Sequence, residues 1–270
     1  MKKLWLYLIL FLIGSGLMLF PLVSQYLYFE VAHEEIISFD EGVAELPNEE
    51  LKERLRLAVA YNSAVDFRGI ADPWTDTEAE GLAEYARMLE VQEKLGYVEI
   101  PKIEARLPVY AGTTEVVLQK GVGHLEGTAL PIGGLDTHSV LTAHRGLPTA
   151  QLFRRLDELE IGDIFFVTTI GGKLAYQVDQ ILVVEPTEIT AVQTEAGKDL
   201  LTLLTCTPYM VNSHRLLVRG ERIAWEETEA KSVIDRTAEI RNPWTLWLIV
   251  VSSILFGGLV YVGWLIMKRR

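Results

Sequence analysis

The sequence has almost no cysteine: Cys206 is the only thiol in 270 residues. One sulfur excludes an intramolecular disulfide framework. No Cys pair and no His-Glu-x-x-His spacing is present, so a zinc site is disfavoured as well. Basic residues are few beside acidic ones, 25 against 37, and the formal net charge of -12 argues against nucleic acid as a partner. That excess reads as a solvated, soluble face rather than a site for a cationic ligand. The chain also lacks internal repeats and low-complexity tracts.

Acidic residues are missing altogether from the two ends, "MKKLWLYLILFLIGSGLMLFPLV" and "PWTLWLIVVSSILFGGLVYVGWLIMKRR". Each carries roughly twenty uncharged, mostly apolar residues, which is what crossing a bilayer requires. Lys2 and Lys3 before the first stretch, with Lys268, Arg269 and Arg270 after the second, direct both termini to the cytoplasm and everything between them outside. A cleaved signal peptide is the alternative for the first stretch. Its apolar run exceeds the usual ~7–15 residues, and no Ala-x-Ala-like site follows cleanly. A buried core helix is the alternative for the second, opposed by uniform apolarity, by Trp244, Trp247 and Trp264 toward its ends, and by the basic stop. An exported chain with one leftover thiol either pairs with another chain or uses the sulfur chemically.

Between the ends the character changes twice. "LPNEELKERLRLAVAYNSAV" predicts a helix, with Asn48 as its cap and Leu51, Leu55 and Ala58 on one face. A second helix is predicted at "TEAEGLAEYARMLEV", opened by a capping-box pattern at Thr77 and Glu80. The loop "DFRGIADPWTD", residues 66–76, separates them. From Gly96 short β-rich runs alternate with glycine and proline: "YVEIPKI", "RLPVYAG", "SVLTAH", "DIFFVTT", "LAYQVDQILVV", "DLLTLLTCT" and "HRLLVRGERIAW". Such spacing predicts a mainly β fold, a closed β-barrel with one inserted helix at "TAQLFRRLDELEIGD". The expected order is a membrane anchor or signal segment at 1–23, a helical extension with its loop at 24–95, and the barrel at 96–226. A polar connector at 227–243, a transmembrane helix at 244–267 and a basic tail at 268–270 follow.

Cys206 stands at the end of the run "DLLTLLTCT", where Pro208 stops regular pairing, and Arg215 begins the next run. Paired as an antiparallel hairpin, these runs bring thiol and guanidinium together. Taken alone, Cys206 also reads as a small buried hydrophobe and Arg215 as a solvated strand-edge charge. A reactive thiol needs a proton acceptor or a nearby positive charge. Of the five histidines, His33 lies near the first span and His214 in a polar loop beside Arg215. His124 and His138 occupy turn-rich stretches and can satisfy local backbone groups. His144 instead ends the apolar run of "SVLTAHRGLP" just as Arg145, Gly146 and Pro148 break it, repeating the setting of Cys206.

At these residues the chain resembles the sortases. "TLLTC" matches their Thr-Leu-x-Thr-Cys signature, with His144 about sixty residues upstream and Arg215 nine downstream, in the family's order. The order His, Cys, Arg also argues against a papain-like protease, whose cysteine comes first. The helical extension, the second apolar end and "ADPW" at 71–74 are most similar to class C, pilus-assembling sortases. Ala143 departs from the glycine that many relatives carry before the histidine.

The resemblance implies a sortase-type barrel and a transpeptidase acting on an LPXTG-like sorting signal. Cys206 is then the nucleophile, His144 the proton carrier and Arg215 the group that holds the carbonyl oxygen. Asp72, Pro73 and Trp74 map onto the class C lid, with the aspartate pairing the arginine and the aromatic covering the thiol. Outside the resemblance, "DPW" reads as a surface turn with a core tryptophan. The implied partners are pilin subunits that carry the sorting signal and an acceptor lysine, together with the lipid bilayer. Because one amide replaces another through a thioester, no cofactor is expected. Two further readings are a housekeeping sortase acting on cell-wall peptidoglycan and a non-catalytic, membrane-tethered peptide-binding barrel.

Overall fold

The computed structural model describes residues 2–65 and 87–225, with positions 251, 257, 258, 263 and 268. Asp72, Pro73 and Trp74, most of the helix expected over 77–91, the connector and most of the second apolar end lie outside the described residues.

Helix α1, Lys2–Glu45, runs without a break through the boundary expected at residue 23, even with Pro21 inside it. At 1.5 Å per residue it is about 66 Å long. Over Ile9–Glu45 it is long and apolar enough to cross a membrane, with mean hydropathy 1.7 in a window that no protein buries. Its later turns change role. Ala32, Ile36 and Phe39, spaced four and three residues apart, are buried against the β domain. Phe39 meets the ring of Tyr97 edge-on, with centroids 6.2 Å apart. Burial of Ile36 and Phe39 stabilises this docking by roughly 1.5–3 kcal/mol each. Lys94, buried under the same helix, is held by the Glu35 carboxylate and, at 2.9 Å, by Ser38 Oγ.

Helix α2, Asn48–Ala64, forms where the sequence predicts it, but Pro47 occupies the cap and Asn48 is the first helical residue. Asn62 ties the helix to the barrel: it donates to the Leu130 carbonyl at 3.1 Å and accepts from the Leu130 N–H at 2.7 Å. Residues 87–89 form a turn rather than the end of a helix.

Eight strands then close a barrel. They are β1 Lys94–Ile100, β2 Ala105–Ala111, β3 Val122–His124, β4 Thr137–Thr142, β5 Ile164–Thr169, β6 Gly172–Val184, β7 Asp199–Thr207 and β8 His214–Ile223. Their spatial order is β1-β2-β3-β4-β7-β8-β6-β5, and β5 pairs back onto β1. At the seam, Gly96 adopts φ +154° and a Cβ there would lie 1.9 Å from the Thr168 carbonyl, so only glycine fits.

The period of two along β7 divides its side chains between two apolar clusters. Leu201 and Leu203 belong to the main core with Val98, Phe165 and Val218. Leu204 joins a smaller cluster with Leu125, Val140, Val192 and Leu217 on the opposite face of the strand. Alternation therefore puts Cys206 of β7, Arg215 of β8 and Thr142 of β4 on the face of the smaller cluster.

Three further features differ from the sequence expectations. No helix forms over 149–163: the segment is a series of turns with a single 3-10 turn at Leu156–Glu158. Leu152 adopts φ +46°, and the helix-like spacing of Leu152, Leu156 and Leu159 comes from turns that each bury a side chain in the core. The short strand β3 lies in the stretch around His124 that reads as turn-rich, and helix α3, Glu115–Lys120, forms just before it, where no element is expected. Strand β1 also begins at Lys94, two residues before Gly96.

Candidate active site

Cys206 is the penultimate residue of β7 and Arg215 the second of β8, and the ladder pairs them directly. Both are buried, each 5% exposed. The loop between them turns on the Pro208 carbonyl, which accepts from Val211 N at 3.1 Å and Asn212 N at 2.9 Å. Arg215 Nη1 donates to the carbonyls of Asn212 and His214, both at 3.1 Å, which fixes the guanidinium over the loop's return.

His144 lies two residues past β4. That strand runs parallel to β7 with Thr142 opposite Leu204. The pairing persists beyond the strand: Ala143 N donates to the Leu204 carbonyl at 3.2 Å, and Thr205 Oγ1 donates to the Ala143 carbonyl at 2.8 Å. Continued by one step, this register aligns His144 with Cys206. The His144 carbonyl also accepts from Phe153 N at 3.2 Å, so its backbone is held from both sides. Its side chain is 18% exposed, with Nε2 itself buried.

Neighbours that the sequence reading did not single out tie these elements together. Arg145, directly after His144, donates to Oγ1 of Thr207, directly after Cys206. Asp157 holds the same guanidinium at 2.6 Å. Both chain ends at the site are thus cross-linked by one planar cation, a task suited to arginine. The first carboxylate of α3 also comes close, with Glu115 Oε2 3.4 Å from His144 Nε2.

The remaining histidines are accounted for elsewhere. His33 is exposed and stacks on Phe29. His124 is fully buried with Nε2 2.7 Å from the Ala129 carbonyl, and burial pushes it down to about 4. His138 donates from Nδ1 to the Gln193 carbonyl and accepts from Thr202 Oγ1, both at 2.8 Å. Burial lowers it to about 4 too. Neither ring is poised to exchange protons near neutral pH. His214 sits against Ser213 and Glu185. Among the described residues no group of three or more His, Cys, Asp or Glu side chains is arranged to hold a metal ion.

A thiol, an imidazole and a guanidinium on one face at a strand-end rim can perform acyl transfer: attack, proton exchange and oxyanion support. The lid positions Asp72, Pro73 and Trp74 lie outside the described residues, so their relation to this rim is an expectation of the sequence alone.

Residues 98–223 match the sortase domain model. Sortase C-1 of Streptococcus pneumoniae is 53% identical with a TM-score of 0.69, covering 72% of this chain and 100% of that one. Streptococcus agalactiae sortase C1 is likewise 53% identical at TM-score 0.69, over 74% and 99% of the two chains. Sortase D of Bacillus subtilis (strain 168) is 33% identical over 137 residues, which are 50% of this chain and 66% of that protein. The eight-stranded barrel and these likenesses show that the chain belongs to the sortase family of cysteine transpeptidases, among the class C pilus sortases.

Proposed function

We propose that this chain is a membrane-anchored transpeptidase that cleaves an LPXTG-like sorting signal between threonine and glycine and joins pilin subunits through a lysine isopeptide bond. The carrying observation is the ladder pairing of Cys206 with Arg215, with His144 two residues past the end of β4, the strand that runs parallel to β7. In the first half-reaction the Cys206 sulfur attacks the threonine carbonyl, the bond to the glycine nitrogen breaks, and His144 gives that amine its proton. In the second, the lysine amine attacks the thioester and loses a proton to His144 as the thiolate leaves. Amide is exchanged for amide, so no external energy source enters. Arg215 offers charged donors to the oxygen on which negative charge develops.

The anchor reading rests on the apolar run of α1 and the lysines before it. With those lysines inside, the barrel stands on the outer face, and residues 244–267 form a second span. The lid reading rests on the resemblance of "ADPW" to the class C motif. Two solved relatives support pilin as the substrate class: the Streptococcus pneumoniae sortase C, whose structure bears on pilin substrate specificity, and the pilus-related sortase C of Group B Streptococcus.

The test is an acceptor choice. The enzyme is incubated with a sorting-signal substrate and either purified pilin or a cell-wall peptide, and the products are sequenced by tandem mass spectrometry. The reading expects a threonine-to-lysine isopeptide on pilin. Transfer to the cell-wall peptide alone would make it a housekeeping sortase instead.

A further inference from the structure

We propose that Glu115 is a positioning residue for His144, holding Nε2 so that Nδ1 is the nitrogen that exchanges protons with sulfur and amine. The inference rests on the transpeptidase reading for its role, and on geometry for the contact itself. Glu115 opens α3, and the structure restrains it from several directions. The preceding Thr114 caps that helix, accepting from Val117 N at 3.4 Å. Thr113 before it is tied to Glu126 through its backbone N–H at 3.2 Å and its hydroxyl at 2.9 Å. Beneath α3, a Cβ on Gly123 would lie 3.1 Å from Leu118 Cδ2 and 3.3 Å from Val117 Cγ1, so the helix and β3 are in close contact.

The carboxylate has two ends and the structure uses both. Gln119 Nε2 donates to Oε1 at 2.8 Å, while Oε2 lies 3.4 Å from His144 Nε2. A carboxylate at ion-pair distance from one ring nitrogen, without a hydrogen bond to it, favours the proton on that nitrogen through its charge. At 61% exposure Glu115 is solvated, so its effect is that of a screened ion pair, roughly two- to fivefold in rate.

The experiment compares wild type with Glu115→Gln and Glu115→Asp by the rate of Cys206 acylation from a fluorogenic sorting peptide and by imidazole 15N NMR of His144. The expected result is a two- to fivefold lower kcat in Glu115→Gln with unchanged KM, partial recovery in Glu115→Asp, and loss of the Nε2–H signature in the glutamine variant. Raising salt to roughly 1 M should bring wild type down to the glutamine variant's rate. Identical kcat and identical 15N signals in wild type and variant would overturn the proposal. So would a change confined to the KM of the amine acceptor, which would assign the carboxylate to the acceptor instead. Absence of any acylation in wild type would overturn the transpeptidase reading, while the NMR comparison still decides the contact.

Discussion

Cys206 and Arg215 are direct partners across the β7–β8 ladder, nine residues apart in sequence and opposite one another in space. The short loop between them is as much a part of the site as either side chain. Because the guanidinium is anchored through Nη1 to two carbonyls of that loop, its position relative to the sulfur follows from main-chain geometry.

Replacing Arg215 with lysine keeps the charge and removes the fork. A point charge cannot hold two loop carbonyls and an oxyanion together. In steady-state kinetics with a sorting peptide, kcat should fall on the order of a hundredfold or more, with an unchanged circular dichroism spectrum. A loss below about threefold would show that charge alone suffices.

Asn62→Ala should destabilise the protein without touching the chemistry. It removes both hydrogen bonds to Leu130 and leaves a buried backbone N–H without its partner. Urea unfolding should show a loss of ~1–3 kcal/mol. Acylation measured well below the unfolding midpoint should be unchanged.

Acid should unfold this domain earlier than its carboxylates alone would dictate. His124 and His138 are held near 4 in the folded chain by burial, against 6.5 when exposed. The unfolded chain therefore binds their protons first. The stability this confers is complete above about pH 6.5 and is lost as pH falls toward 4. Two such groups imply a decline of about 2–3 kcal/mol per pH unit between pH 6 and 5. A flat urea midpoint across that interval would contradict the assignment.

Trp74→Ala tests the lid that the sequence resemblance implies. If a closed lid leaves the site open about 1% of the time, removing its aromatic should speed labelling of Cys206 by a thiol reagent up to about a hundredfold. Labelling at the wild-type rate would remove Trp74 from any gating role.

Much of the barrel was readable because its strands are apolar runs cut by glycine and proline, and β7 is the plainest of them. Cys206, Arg215 and His144 stood out because each is a reactive side chain at the end of such a run. The residues that brace them were hidden for a physical reason. Arg145 meets Thr207 across 62 positions and Glu115 approaches His144 across 29, and no local period encodes either contact. Strand β3 was missed because three residues, preceded by Gly121 and with Gly123 at their centre, carry too little pattern to distinguish a strand from a turn. The helix expected over 149–163 failed for the opposite reason: buried leucines at three- and four-residue spacing imitate an amphipathic helix, whereas here successive turns bury them.

The most direct test of the central claim is the intact mass of the full-length enzyme after exposure to an LPXTG-type peptide, followed by digestion to locate the adduct. The account predicts added mass equal to the fragment ending in threonine, bound to Cys206 and released by hydroxylamine, and no adduct in Cys206→Ala. A wild-type mass that stays unchanged while peptide is consumed, or an adduct that survives in Cys206→Ala, would contradict it.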